Sequence, residues 1–515
     1  MPARHRSPPL FLALVAGLST CHAAEPGETA FLEELPVVLS ASRLPQALRD
    51  APGAVTVIDR ELILASGYRD LPRILRLVPG MQVGQERGHS YWVTYHGLGN
   101  SNPSEMQVMI DGNSVYSPSS FGGVDWDGLP LTLDDIDHIE VVRGTNSNSY
   151  GANAVLGVIN IITRHSAEDP GARLRLRQGN QGVADQSATW SGGDGPLSLR
   201  LSARAQHDLG FADLNDSNQS NAVTLRGDLQ LSTTDSLMLR AGASSGQVGE
   251  GYKDSTFGYN AERSATHRAE TLHLLWRHAE TPDSEWLLNY YHNQEDINDK
   301  WLASAPPLFP AVPLDRNRDS RRDHLGLEHR LTLNPTLQMV WGADAQRNQV
   351  HAPFLFASGD PPLQTLYRVF ANAEWRPHPN VSINVGELAE QFRDAPVRYS
   401  PRAFVNWQLA PGQTLRTGYA QAHQAVNLFE RYGDIQAVDP ASGAVLARPY
   451  ICNPDLRQTR ISSAEVGYLG RFAGGAHTVD LRLFEERLHD FVVRQPESAP
   501  GPQPSALVVA AAQLS

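Results

Sequence analysis

Residues 136–164 read IDHIEVVRGTNSNSYGANAVLGVINIITR, and their reading decides the fold. Ile139, Val141 and Val142 are β-formers, and Arg143-Gly144 ends their run. Val158-Ile159-Asn160-Ile161-Ile162 is a second β-branched run. Between them lie Gly151, Ala152, Asn153, Ala154 and Gly157, small residues that let backbone approach backbone closely. The stretch therefore reads as two buried strands joined by a tight loop of small residues.

Upstream of this stretch the pattern is mixed. Residues 54–58 form a strand candidate, and Asp59 stands as N-cap of a helix through Arg60, Glu61, Leu62 and Ile63. Leu71, Ile74, Leu75 and Val78 recur at helical spacing and stop at Pro79-Gly80. Residues 106–110 alternate as a strand closed by the Asp111-Gly112 turn. This region is large enough to bury a small αβ core of its own.

Downstream the texture changes. Leu197, Leu199, Leu201, Ala203 and Ala205 alternate with Ser198, Arg200, Ser202, Arg204 and Gln206. Val223, Leu225, Gly227, Leu229 and Leu231 alternate with Thr224, Arg226, Asp228 and Gln230. Leu337, Met339 and Trp341 follow the Asn334-Pro335-Thr336 turn. Period-two patterning repeated over long strands predicts an antiparallel transmembrane β-barrel, apolar outside and arginine-bearing inside. A soluble sandwich would place those arginines in its core, at high cost. Short turns such as 232–235 and 410–412 alternate with long polar stretches such as 298–322 and 429–453.

Composition narrows the class. The chain has 515 residues and a formal net charge of −13, which argues against a nucleic-acid binder. Lys253 and Lys300 are the only lysines, so the positive charge is almost all arginine. Coding bias accounts for that, although the guanidinium fork also suits carboxylate-rich ligands. Residues 1–23 read as a secretory signal peptide, with Arg4 and Arg6, an apolar run at 10–18, and Cys21-His22-Ala23 before the cut. A lipobox reading of Leu18-Ser19-Thr20-Cys21 fits less well. Cleavage leaves Cys452 alone, so no internal disulfide is expected. No apolar run reaches the roughly 18 residues of a spanning helix; a closed barrel stays available. Gly242-Ala243-Ser244-Ser245-Gly246 matches G-x-S-x-G without a strand–elbow–helix setting, and no metal-ligand spacing stands out, so neither an enzyme nor a cofactor is expected.

Residues 136–164, with their fixed spacing, resemble the plug domain of TonB-dependent outer-membrane receptors. The resemblance implies a plug domain at 46–166 inside an antiparallel barrel at 170–515, after an N-terminal segment at 24–45. It implies about twenty-two strands, whereas about fifteen candidates can be counted up to residue 484. Asn453-Pro454-Asp455-Leu456 resembles the family's NPxL segment, which normally has several strands after it, and residues 506–515 supply no closing strand. An open edge is not viable in lipid, so the C-terminal strands are expected to be missing, as in a fragment or truncated product.

By the same resemblance, Val37, Val38, Leu39, Ser40 and Ala41 form the TonB box, which pairs as a strand with TonB and its inner-membrane energising complex. Pro36 departs from the usual threonine, and an ordinary first plug strand is the other reading. Arg143 and the barrel residue Glu465 match the plug–barrel lock. His96 stands where the family usually has arginine, which would make the lock weaker or pH-sensitive. Ligand contacts are expected at the plug apices, from Arg87, His89, Tyr91, Tyr116, Phe121, Asp125 and Trp126. The expected function is a monomeric Gram-negative outer-membrane importer of a metal chelate, most simply a ferric siderophore. Cobalamin import, a non-transporting remnant and a passive porin are the alternatives.

Overall fold

The structure, a computed structural model, describes residues 36–96, 103–119, 123–305, 309–361, 363–393, 395–439, 441–453, 455–473, 476–497 and 508–514. The signal-peptide reading of residues 1–23 lies outside them, as does Pro454 of the NPxL segment.

The first part of the chain carries β1 (Val37–Val38), β2 (Gln46–Ala47), β3 (Ala54–Ile58), β4 (Met81–Gln85), β5 (Tyr91–Tyr95), β6 (Met106–Ile110), β7 (Asn113–Ser114), β8 (Ile136–Arg143) and β9 (Gly157–Thr163). The opening stretch supplies β8 and β9, the centre of a five-stranded sheet of order β3-β8-β9-β6-β7. β6 and β9 run parallel; the other neighbours are antiparallel. Ile139, Val141, Ile159 and Ile161 lie at the core with at most 1 % of their surface exposed. The small-residue loop between these strands folds as one helical turn, Ser147–Tyr150.

Local chemistry sets the remaining elements. Asp59 caps helix Arg60–Ala65 by accepting the Leu62 N–H at 2.7 Å. Helix Leu71–Ile74 tightens into a 3-10 turn, Leu75–Leu77. Val78 is extended, because the residue before a proline is driven out of the helical region. Asp111 and Gly112 both take positive φ, the geometry of a tight hairpin between β6 and β7. Asp111 is more than a turn residue: its carboxylate accepts the Thr163 N–H at 2.8 Å and the Thr163 hydroxyl at 2.7 Å.

The rest forms one large antiparallel sheet. Its strands are β10 (Gly171–Gln178), β11 (Ala184–Asp194), β12 (Leu197–Asp208), β13 (Asn218–Gln230), β14 (Asp235–Glu250), β15 (Arg263–Thr281) and β16 (Ser284–Asn298). After the hairpin β17 (Lys300–Ala305) and β18 (Phe309–Asp315) come β19 (Arg318–Asn334), β20 (Leu337–His351), β21 (Gln364–His378) and β22 (Val381–Phe392). The short β23 (Arg398–Tyr399) precedes β24 (Arg402–Ala410) and β25 (Gln413–Gln424); β26 (Asp434–Val438) and β27 (Val445–Ile451) lie in a loop; β28 (Thr459–Phe472) and β29 (His477–His489) complete the path. Fifteen strands pair in succession from β10 to β29, with β23 added beside β22. Among the described residues, β10 and β29 are not paired with each other.

Alternation works as the residues require. Leu201 and Val223 face outward, about half exposed, while Arg200 and Arg240 face inward, each 3 % exposed. Trp190, Trp341, Trp375 and Trp407 sit on the outer face, each within a few residues of a short turn. That is the placement of an interfacial aromatic girdle. Long connections gather at the opposite end, at 209–217, 251–262, 299–317, 352–363 and 425–458. No helix among the described residues is long and apolar enough to cross a membrane. Gly242–Gly246 falls inside β14, with no elbow for a nucleophile.

The last described residues, 508–514, add no strand to the large sheet. β31 (Val508–Leu514) is a strand, paired antiparallel with β30 (Phe491–Glu497) and parallel with β27. It joins the loop sheet instead of the large sheet, because the free edge of β30 offers it a ladder of backbone partners.

Gly157, where β8 meets β9, has no room for a side chain. Its φ is +155°, and a side chain there would collide with the Val142 carbonyl and approach Met106 Cε to 2.9 Å. Gly157→Ala is expected to destabilise the plug by about 2 kcal/mol or more. Limited trypsin digestion checks this: new cuts inside residues 54–164, with the large sheet still resistant, is the expected pattern.

Candidate functional site

Three connected regions carry the polar residues that packing alone does not demand. They are an outer cavity at the long-loop end, a charged lock at mid-height, and the segment Val37–Ala41 at the short-turn end.

The outer cavity measures about 440 Å³ and lies between the plug apices and the barrel mouth. Of the expected ligand residues, Arg87, Tyr91, Tyr116, Asp125 and Trp126 line it, His89 does not, and Phe121 lies outside the described residues. Several of them are already engaged. Arg87 is 3 % exposed and donates from Nη1 to the Gly251 carbonyl at 3.0 Å, with its guanidinium 4.3 Å from the Tyr252 ring. His89 Nε2 meets the Gly249 carbonyl at 2.9 Å. The Tyr116 hydroxyl donates to the Met106 carbonyl. Tyr91 donates to Asp70 at 3.1 Å, and burial together with that carboxylate pushes its phenol well above the ordinary range. Asp125 accepts the Gly128 N–H at 3.2 Å.

The barrel supplies groups that the motif comparison missed. Arg263 Nη2 pairs with Asp299 at 2.9 Å and stacks 3.7 Å from the Trp301 ring centre. Arg316 sits 5.0 Å from Trp301, 5.3 Å from Phe354 and 5.9 Å from Tyr259. Two guanidinium planes on an aromatic box can hold a flat anionic or aromatic group by charge and by stacking. Glu295 faces them from the barrel wall and accepts the Ser119 hydroxyl at 3.1 Å. The inward parity of Arg263 in β15 and Glu295 in β16 was available in the sequence; the hairpin that brings Trp301 over Arg263 was not.

The lock gathers His96, Arg143 and Glu465 at one place, each with a partner supplied by the barrel. Arg143 pairs with Asp480. Glu465, whose side chain is 3 % exposed, is taken by Arg482 at 2.6 Å and Arg416 at 3.6 Å. His96 Nδ1 lies 3.5 Å from Glu486, and its ring stacks on Phe484 with centroids 4.4 Å apart. Arg482 also donates to the Tyr95 hydroxyl at 3.3 Å. Three arginines thus face three carboxylates, with Tyr95 and His96 of the plug beside them.

Val37–Ala41 is docked on the plug. β1 pairs with β2, and Val38, Ser40 and Ala41 are buried, while Val37 is 60 % exposed. The Leu39 N–H donates to Glu140 at 3.2 Å and the Ser40 N–H at 2.8 Å. Asn160 donates to the Ser40 hydroxyl, and Asn146 to the Ser40 carbonyl, both at 3.0 Å. Burial pushes the Glu140 carboxyl up, but His138 and Ser40 outweigh it and hold it below the ordinary range. His138 is lowered by burial, yet Glu140 and Asp137 bring it above its ordinary value. These hydrogen bonds occupy the backbone N–H groups of Leu39 and Ser40.

Comparison with known proteins places this geometry. A family profile described as "TonB-dependent Receptor Plug Domain" matches residues 47–158. A second, "TonB dependent receptor-like, beta-barrel", matches residues 247–513. The "Iron-regulated outer membrane virulence protein" of Vibrio cholerae is 24 % identical over 96 % of this chain and 74 % of its own length. The "Vitamin B12 transporter BtuB" of Vibrio vulnificus is 32 % identical over 35 % of this chain and 29 % of its own. The crystal structure of the siderophore receptor PirA from Pseudomonas aeruginosa superposes with a TM-score of 0.69 at 18 % identity, over 90 % of this chain and 80 % of that one.

Two outcomes follow from the docking and the lock. With a nitroxide on Val37→Cys in a Cys452→Ser background, Glu140→Gln should increase the mobile fraction in electron paramagnetic resonance about tenfold, since hydrogen bonds to a charged group contribute about 1.5–3 kcal/mol. In the unaltered docking site the mobile fraction should grow as pH falls below the ordinary carboxyl range near 4.5, where Glu140 takes up its proton. Separately, Arg482→Ala should lower the unfolding free energy by about 3 kcal/mol by leaving the buried Glu465 with only the longer Arg416 contact, read as a lower melting midpoint.

Proposed function

The chain belongs to the TonB-dependent receptor family, and from that membership we propose that it is an outer-membrane importer of a ferric siderophore, driven by TonB through Val37–Ala41. The family is one of receptors and transporters rather than enzymes. The observation that carries the reading is the docked segment: a β-prone stretch held by the Glu140 carboxylate at one end of a plug whose other end floors the outer cavity. Strand addition would recruit Val37–Ala41 once its backbone groups are released. The plug at 46–166 would then shift within the barrel at 170–515, and the three-against-three charges around Arg143, Glu465 and His96 would hold the remainder in register.

A ferric siderophore suits the outer cavity. Arg263 and Arg316 on their aromatic box would hold an anionic aromatic chelate, with Tyr91, Trp126 and Asp125 contributing from the plug. Relatives named as iron-regulated and as siderophore receptors support the same choice. A second reading, cobalamin import, is favoured by the higher identity of the local match to the B12 transporter.

Uptake by cells lacking their own receptors separates these readings. Import of a 55Fe-loaded tricatecholate at 37 °C, abolished by a protonophore or by deleting TonB, is expected. Surface binding at 0 °C should persist in both conditions. Import of 57Co-cobalamin and none of iron would establish the second reading; TonB-independent uptake would reject the coupling.

A further inference from the structure

A second void of about 310 Å³ lies between the plug and the barrel wall built by β15 to β21. It runs from Ser104 and Asn427, near the loops, to Leu39 and Arg43, at the docked segment. At the loop end it shares Gln364, Phe392 and Asn427 with a further cavity of about 470 Å³ that carries Arg398 and Arg431. The two together line one side of the plug from the outer loops to the segment expected to be pulled.

The arginines along this void differ in one respect. Arg43 pairs with Glu328 at 3.2 Å, Arg277 with Glu285 at 3.1 Å, Arg330 with Glu328 at 2.6 Å and Arg368 with Asp344 at 2.7 Å. Arg322 has no ion-pair partner among the described residues. It is 5 % exposed, and its donors go to neutral oxygens: Nε to Asn348 Oδ1 at 2.9 Å and Nη1 to Ser114 Oγ at 3.0 Å. The nearby Glu295 is held by the Ser117 and Ser119 hydroxyls and forms no ion pair with it. A desolvated guanidinium on a cavity wall, oriented by two neutral groups and without an ion-pair partner among the described residues, is built to receive an anion.

We propose that Arg322 is an internal anion-binding subsite, where a carboxylate or comparable oxyanion of the imported solute is received after it leaves the outer cavity. Ser114 and Asn348 fix the fork so that its remaining donors meet the oxyanion. The subsite lies beside the plug, separate from the outer cavity, and it assigns the β15–β21 wall as the side on which solute passes. Arg43 supports that side: it lies two residues beyond Ala41 and closes the far end of the void by its Glu328 pair, its Nε donating to the Ser149 carbonyl at 2.8 Å. Tension on Val37–Ala41 would draw Arg43 out first. The transit role rests on the importer reading; the anion site does not.

Selenate, a tetrahedral dianion with an anomalous signal, is the probe. In crystals of the full chain soaked in selenate, a peak at the Arg322 guanidinium is expected, and it should vanish in Arg322→Gln while peaks elsewhere persist. No peak at Arg322, or one that survives the substitution, overturns the site. Heat-modifiability on gels verifies that Arg322→Gln is folded. In cells, Arg322→Gln should bind an anionic 55Fe-tricatecholate at 0 °C like the wild type yet import it about tenfold more slowly, with little change for a neutral 55Fe-trihydroxamate. Equal import of the anionic chelate overturns the transit role. Were the wild type to import neither, the importer reading would fall, and the selenate peak would still decide whether Arg322 binds anions.

Discussion

A sheet whose outer face meets hydrocarbon must turn its charged side chains inward, where each needs a counter-charge or a polar acceptor. Most of this structure follows from that requirement. Arg200 reaches Asp135 at 3.0 Å and the Asp134 carbonyl at 3.0 Å. Arg226 donates to the Thr163 carbonyl at 2.9 Å, and Arg402 to the Ala41 carbonyl at 2.6 Å. Arg69 of the plug reverses the direction and meets Asp185 and Asp208 of the barrel at 2.6 and 2.7 Å. The plug is thus the barrel's counter-ion body as well as its stopper. Its polar atoms stand at the heights where the wall presents charge.

That requirement also explains what could be read in advance. The plug sheet was legible because residues 136–164 combine β-branched runs with glycines at positions of fixed backbone demand, and Gly144 and Gly157 do take positive φ. The barrel was legible because alternation is strictly local: Leu201 outward and Arg200 inward need no knowledge of any distant residue. Pairing across the interface was not legible. Arg143 finds Asp480 and Glu465 finds Arg482, choices made by the height of a strand relative to the plug. The outer cavity was harder still. Tyr116 and His89 look like ligand residues in sequence, but Tyr116 donates to a backbone carbonyl within the plug, and His89 meets one in the barrel mouth. Trp301 and Phe354, on loops without periodicity, stand over the arginines instead.

The interface is uneven in strength. Around Glu465 the contacts are ion pairs between nearly dry groups, which resist separation strongly. At Val37–Ala41 the Glu140 carboxylate, Asn146, Asn160, Arg402 and the short pairing with β2 hold the chain by hydrogen bonds, and the first valine is already in solvent. On the importer reading, tension from the N-terminal end reaches this segment before the lock. Arg43 is the first charged group on that line, bound to Glu328 and stacked 4.2 Å from the Phe370 ring.

The same docking has a consequence for the cell as a whole. An energy transducer shared by many receptors is a limiting resource, and each receptor competes for it by the fraction of time its recruiting strand is free. On the importer reading, the hydrogen bonds from Leu39 and Ser40 to Glu140 lower that fraction, and the apparent affinity falls in proportion. On the importer reading, an idle copy of this protein therefore withdraws from the queue. Abundant empty receptors of this kind could crowd the outer membrane without starving their loaded neighbours of the drive they share.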